Sequence, residues 1–209
     1  PNIILQKYTF GDGSGLIAAG SEFDLALDFM NTSSKHKAEN VVMTIEPGEG
    51  LSLSNSSNTF YYAAIGKEEA KSEKVKLLAL PSAKPGVAEV TLTFKYEYVD
   101  NNKRSPVTIT QKLSIQIFQP DRFDVTLNPL PASVTVGNET TVSLNYMNKG
   151  KSDVSNVQAK LTVNVPALGS VQNIGNLEPG KSGSINFVLT PDAAGTVNAT
   201  VTLTYEDAS

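Results

Sequence analysis

The chain has 209 residues, 40% of them hydrophobic, which is enough apolar material for one large core or two ordinary ones and argues against a disordered chain. Seventeen basic residues stand against 21 acidic ones, a net charge of −4. No excess of cations is left to neutralise phosphates, so nucleic acid is not an expected partner. Cysteine is absent, which removes disulfides, thiolate metal ligands and cysteine nucleophiles together.

The chain starts at Pro1 without a methionine and reads as a fragment of a longer polypeptide, with any signal peptide or membrane anchor outside it. The first motif is GDGSG at 11–15. It lacks the Gly-Lys-Ser/Thr ending of a phosphate loop, and Asp12 is its one carboxylate where a calcium loop uses several. It reads as a flexible connection between the first strand and Ser21. Leu25, Leu27 and Phe29 then alternate with other residues as a half-buried strand does. That strand runs into LDFMNTSSKHKAENVVMTI, from Leu27 to Ile45, where a polar turn separates two extended runs. His36, the sole histidine, lies in this turn between Lys35 and Lys37. A catalytic histidine needs a nucleophile to activate and a group to orient it, and no nucleophile signature occurs, so His36 reads as a solvated loop residue.

Phe60, Tyr61 and Tyr62 follow a long polar loop, and exposed aromatics of this kind anchor sugars or protein partners. At least one of the three must face inward if they form a strand. GKEEAKSEKVKLLAL, from Gly66, is rich in helix formers, but its apparent counterpart in the second half carries Pro179 and Gly180, so a turn and a strand are preferred. Val90, Leu92, Phe94 and Tyr96 form one face of the next strand. Val107, Ile109, Leu113, Ile115 and Ile117 form another, with a change of phase expected near Gln111.

The chain then repeats itself. LNYMNKGKSDVSNVQAKLT, from Leu144, matches the Leu27 stretch, with Asn148 falling 117 positions after Asn31. KEEAKS aligns with LEPGKS, pairing Glu68 with Glu178 and Ser72 with Ser182, and Gly86 and Tyr96 align with Gly195 and Tyr205. Asn31 and Asn148 are expected to tolerate positive φ and cap the turn. Two homologous units follow, 1–120 and 121–209, joined at IFQPDRFDV by a short linker. Asp121 and Asp124 flank the join. With Glu97 or Asp100 they could ligate calcium, but their spacing does not specify it, and solvated linker acids are the reading. The sequons at Asn31, Asn55, Asn138 and Asn198 would matter only in a glycosylating host.

The strand count and spacing predict two all-β, immunoglobulin-like sandwiches without a core tryptophan or disulfide. Phe29, Leu92 and Phe94 are expected in the first core, and Leu144, Val201 and Leu203 in the second. By the repeat, the second unit stops just past the counterpart of the strand ending in Tyr96, so it lacks its last strand. In this fragment residues 199–205 should then form an open edge that pairs with a second copy, borrows a strand or stays mobile, while the native chain is expected to continue with a strand of about 10 residues that closes the sheet.

The phrases DFMNTSSKHKAENVVMTIEP, NYMNKGKSDVSNVQAKLTV, IGNLEPGKSGSINFVLTP and AAGTVNATVTLTYED resemble the tandem Ig-like repeats of bacterial and archaeal cell-surface proteins. These are grouped as cell-adhesion-related domains found in bacteria or as S-layer-associated repeats. The resemblance implies a non-catalytic extracytoplasmic module at the cell surface, adhesive or a spacer, meeting a wall or surface protein or glycan, with membrane attachment through an anchor elsewhere. No cofactor, metal or catalytic residue is expected. The alternative is a carbohydrate-binding or accessory module that draws on Tyr61 and Tyr62.

Overall fold

The computed structural model describes residues 1–207, and every regular element among them is a β-strand. The chain divides into two compact units, Pro1–Gln119 and Pro120 onward. The first holds β1 (Ile3–Phe10), β2 (Ile17–Ala18), β3 (Glu22–Asn31), β4 (Ala38–Pro47) and β5 (Leu51–Leu53). It continues with β6 (Thr59–Ile65), β7 (Ala70–Ala79), β8 (Gly86–Asp100) and β9 (Lys103–Phe118). Its two sheets have the orders β1-β3-β7-β5 and β2-β9-β8-β4-β6. The second unit holds β10 (Phe123–Leu127), β11 (Thr140–Asn148), β12 (Val154–Val163), β13 (Ala167–Leu168), β14 (Val171–Leu177), β15 (Ser182–Leu189) and β16 (Ala199–Glu206). Its sheets have the orders β10-β11-β15-β13 and β14-β12-β16. Each unit is an Ig-like β-sandwich.

Period-two alternation builds both cores. Leu25, Leu27 and Phe29 of β3 meet Leu92 and Phe94 of β8 inside the first unit, where the Phe29 and Phe94 rings lie 5.0 Å apart. Ile185, Phe187 and Leu189 of β15 do the same in the second. The stretch rich in helix formers is strand β7, because Val75, Leu77 and Ala79 gain a buried face by pairing with β3.

β9 shows no change of phase. Every odd-numbered residue from Val107 to Ile117 is partly or fully buried, Gln111 included. Gln111 tolerates that position because its amide is occupied: its Oε1 accepts the Leu5 N–H at 3.0 Å and its Nε2 donates to the Ile3 carbonyl at 3.3 Å. These groups lie next to a bulge between Leu5 and Lys7 in β1.

The repeated phrases encode the same three hydrogen-bonded devices in each unit. Asn31 and Asn148 are fully buried; neither has positive φ, which corrects that part of the expectation, but each caps the turn after it, its Oδ1 accepting the N–H two residues on. Asn31 Nδ2 donates to the carbonyls of His36 (3.0 Å), Ile65 (3.3 Å) and Gly66 (2.8 Å), while Oδ1 accepts the Ser33 N–H at 3.1 Å. Asn148 Nδ2 donates to Ser152 and Leu177, each at 2.9 Å, and its Oδ1 accepts the Gly150 N–H at 2.9 Å. Each asparagine thus ties the turn that follows its strand to the end of a strand in the facing sheet.

The second device is a bulge carried by Asn40 and Asn156, at φ 51° and 53°. Asparagine suits this left-handed conformation. Each donates across the ladder, to Glu97 at 3.2 Å and to Glu206 at 2.7 Å. The third is a tyrosine. Tyr96 Oη donates to the Pro1 carbonyl at 3.0 Å, and Tyr205 Oη donates to the Asp121 carboxylate, so each holds the residue two before the first strand of its unit.

The alignment of KEEAKS with LEPGKS is out by two residues. Asn31 N–H donates to Glu69 and Asn148 N–H to Lys181, which sets Glu68, at φ 53°, opposite Gly180 at φ 79°. Ser72, bonded to Asp28, matches Ser184, bonded to Asn145, and not Ser182. A two-residue slip leaves every strand face unchanged, so alternation gives no warning of it.

Candidate functional site

In GDGSG, Gly11, Gly13 and Gly15 take positive φ and Asp12 Oδ1 accepts the Ser14 N–H at 2.9 Å, which holds the Asp12 carboxyl below its ordinary value. Its one carboxylate is spent on shaping the loop. The His36 ring packs at 5.6 Å from Tyr98, with Nε2 3.8 Å from Asp100, and among the described residues no serine or threonine hydroxyl bonds to that ring. Glu97 pairs with Arg104 at 2.8 Å, and Arg104 also reaches Glu39 at 2.9 Å.

β6 separates the three aromatics. Phe60 and Tyr62 pack against the first core, and Tyr62 Oη donates to Glu73 at 2.6 Å. Burial raises the Tyr62 phenol, and the nearby Glu73 carboxylate raises it further. Tyr61 alone points out, 63% exposed, so the three rings form no platform for a sugar.

In the second unit Asp124 pairs with Lys149 at 2.5 Å, and this hydrogen-bonded cation depresses its carboxyl. Asp121 accepts from Tyr205, and that bond pushes the Tyr205 phenol up to about 12. The two carboxylates thus serve different partners. Among the described residues no group of three or more His, Asp or Glu is placed to hold a metal ion.

A further recess lies in the second unit. It is a groove of about 580 Å³ between residues 130–136 on one side and the start of β16 on the other. Val134, Val136, Val142, Leu189 and Val197 line it, and no charged side chain does. Sequence reasoning pointed to the open edge of β16 but not to this groove. Its far wall, 134–136, reads as loop because Pro129 and Pro131 interrupt any strand pattern.

The first unit shows how the groove arises. Gly20 N–H donates to Ala79 O and Gly137 N–H to Pro191 O, both at 2.8 Å, so Ile17 corresponds to Val134. Ile17 belongs to β2, which pairs in parallel with the end of β9, and it is 4% exposed; Val134 has no ladder partner and is 38% exposed. β8 is flanked by β4 and β9, whereas β16 is flanked by β12 alone among the described residues. Val201 and Leu203 pack against the second core as expected, but both remain only partly buried. The groove occupies the place that Leu113, Ile115 and Ile117 fill in the first unit.

Residues 120–208, the second unit, match the model of the CARDB family, the cell-adhesion-related domain found in bacteria. This is a non-catalytic, adhesion-related family of Ig-like domains. Two solved structures are similar at low identity. One is red sea bream transglutaminase, at 14% identity and a TM-score of 0.34, covering 96% of this chain and 29% of that one. The other is a protein of unknown function from Porphyromonas gingivalis W83, at 13% identity and a TM-score of 0.39, covering 90% of this chain and 83% of that one. The chain therefore spans less than a third of the transglutaminase. No curated protein matches it.

Proposed function

We propose that this chain is a non-catalytic module of a bacterial cell-surface protein, in which paired sandwiches space and present other parts of that protein outside the cytoplasm. The CARDB match over 120–208 is the observation that carries the reading. The way the chain uses its polar groups supports it. Among the described residues no buried side-chain nitrogen or oxygen lacks a hydrogen-bond partner, and the ion pairs lie at the surface. The two fully buried asparagines, Asn31 and Asn148, are spent on corners of the sandwiches.

Immunogold labelling of intact and permeabilised cells with antibody raised against residues 1–209 tests the location. Labelling of intact cells is the expected result, and labelling confined to permeabilised cells overturns it. Single-molecule extension should show two separate unfolding events. Calorimetry against purified wall polysaccharide separates the roles, because saturable heat would replace the spacer role with an adhesive one.

A further inference from the structure

We propose that the corner of the first unit between the turns 32–37 and 66–69 is a binding site for an oxyanion, a phosphate or carboxylate group carried on an organic ligand. The inference uses the first unit alone and stands whether or not the cell-surface reading holds.

A recess of about 420 Å³ opens between these turns, and Lys35, His36, Lys37 and Lys67 line it together with Glu39. Three lysines and the sole histidine thus gather at one place in a chain of net charge −4. Glu39 does not answer all of them. Its Oε1 accepts from Lys37 at 2.8 Å and its Oε2 from Arg104 at 2.9 Å, so both oxygens are taken, and these bonds hold its carboxyl below the ordinary value. Glu69, on the second turn, is drawn to Lys71 and to the Gly66 N–H, and Asp100 lies 3.8 Å from His36 Nε2. Among the described residues neither Lys35 nor Lys67 has a carboxylate within ion-pair reach. Like charges gathered on two turns and left unpaired raise the local potential and favour an anion between them.

The second unit shows that the corner itself does not need these cations. The bonds of Asn31 to His36 and Ile65, and of Asn148 to Ser152 and Leu177, set the two corners in correspondence. His36 then answers to Ser152, Lys37 to Asp153, Gly66 to Glu178 and Lys67 to Pro179. The same asparagine corner forms in both units, while the cations of the first give way to acids, a serine and a proline in the second. The charge of the first corner is therefore not required by the fold, and a ligand of opposite charge accounts for it.

A lysine ammonium is a compact point charge with no fixed fork, so Lys35 and Lys67, reaching in from separate turns, suit a tetrahedral or a planar oxyanion alike. Val99, 41% exposed, lines the same recess and offers apolar contact to the carbon body of the ligand.

The test is a titration of the 209-residue chain with inorganic phosphate and, separately, with glucuronate, at constant low ionic strength, followed by NMR through the amides and the His36 ring. Saturable shifts confined to 33–37, 66–68 and Val99 are expected, with none at Lys76 or Lys160 and none on adding glucose as the neutral counterpart. The anion that saturates at lower concentration identifies the group as phosphate or carboxylate. Lys35→Ala combined with Lys67→Ala, both at exposed positions, should leave the remaining amide spectrum unchanged and bind at least about fivefold more weakly. The corresponding double arginine variant should keep its affinity. Four results overturn the proposal: no saturable shift with either anion, shifts spread equally over the other lysines, an equal response to glucose, or undiminished affinity in the double alanine variant.

Discussion

Leu92 and Val201 hold matching places in the two sandwiches, yet Leu92 is fully buried and Val201 only partly. Both strands alternate in the same phase, and both lie on a strand that carries the matching asparagine bulge, β4 in one unit and β12 in the other. What differs is the neighbour on the far side, β9 in one unit and none among the described residues in the other. Alternation therefore marks which face of a strand is meant for the core, but burial depends on whether the sheet extends past it.

The largest expected effect follows from that difference. Leu92→Ala should cost about 2–5 kcal/mol in urea denaturation of the first unit. Leu203→Ala should cost about 1–2 kcal/mol in the second, because solvent already reaches the side chain. Equal losses would mean that β16 is as enclosed as β8.

The asparagine corners should respond alike in both units. Asn31→Ala and Asn148→Ala each strand buried carbonyls and should cost roughly 1–3 kcal/mol, with Asn31 at the upper end because it serves one more carbonyl. A loss confined to one of them would break the equivalence of the two corners.

The residues forecast the strand faces well, since Leu25, Leu27, Phe29, Ile185, Phe187 and Leu189 all point inward as their spacing requires. They forecast the corners poorly. Asn31 reads as a turn residue from composition, and only the fold brings Ile65 and Gly66 to it from the facing sheet. Gln111 misleads for a related reason, since its partners on β1 lie more than 100 positions away. The open edge could be read from the repeat because it concerns the order of strands, whereas the groove depends on 134–136, which no local pattern marks.

A smaller effect separates the matched turns. Gly180→Ala should destabilise the second unit by about 1 kcal/mol, because φ there is 79°. Glu68→Gly, at φ 53°, should relieve similar strain in the first unit, offset in part by glycine's greater freedom when unfolded. If Glu68→Gly destabilises the first unit by as much as Gly180→Ala does the second, the two-residue realignment of these turns is wrong.

The smallest effect is one of pH. The Tyr205 phenol is raised to about 12 from 10.0 by its bond to Asp121. A raised value means that the folded state holds the proton more tightly, so this contribution is fully present below about pH 10 and is lost as pH rises toward 12. Tyr205→Phe should flatten the alkaline limb of the second unit's stability profile. A limb unchanged by that substitution would mean that the Tyr205–Asp121 bond does not form.

Native-state amide hydrogen exchange of the 209-residue chain, resolved residue by residue, tests the central difference most directly. In β8, amides from Val90 to Glu97 should be protected on both edges by β4 and β9. In β16, protection should alternate along 199–205, slow where the N–H faces β12 and fast where it faces the open side. Uniform slow exchange across β16, matching β8, would contradict the account.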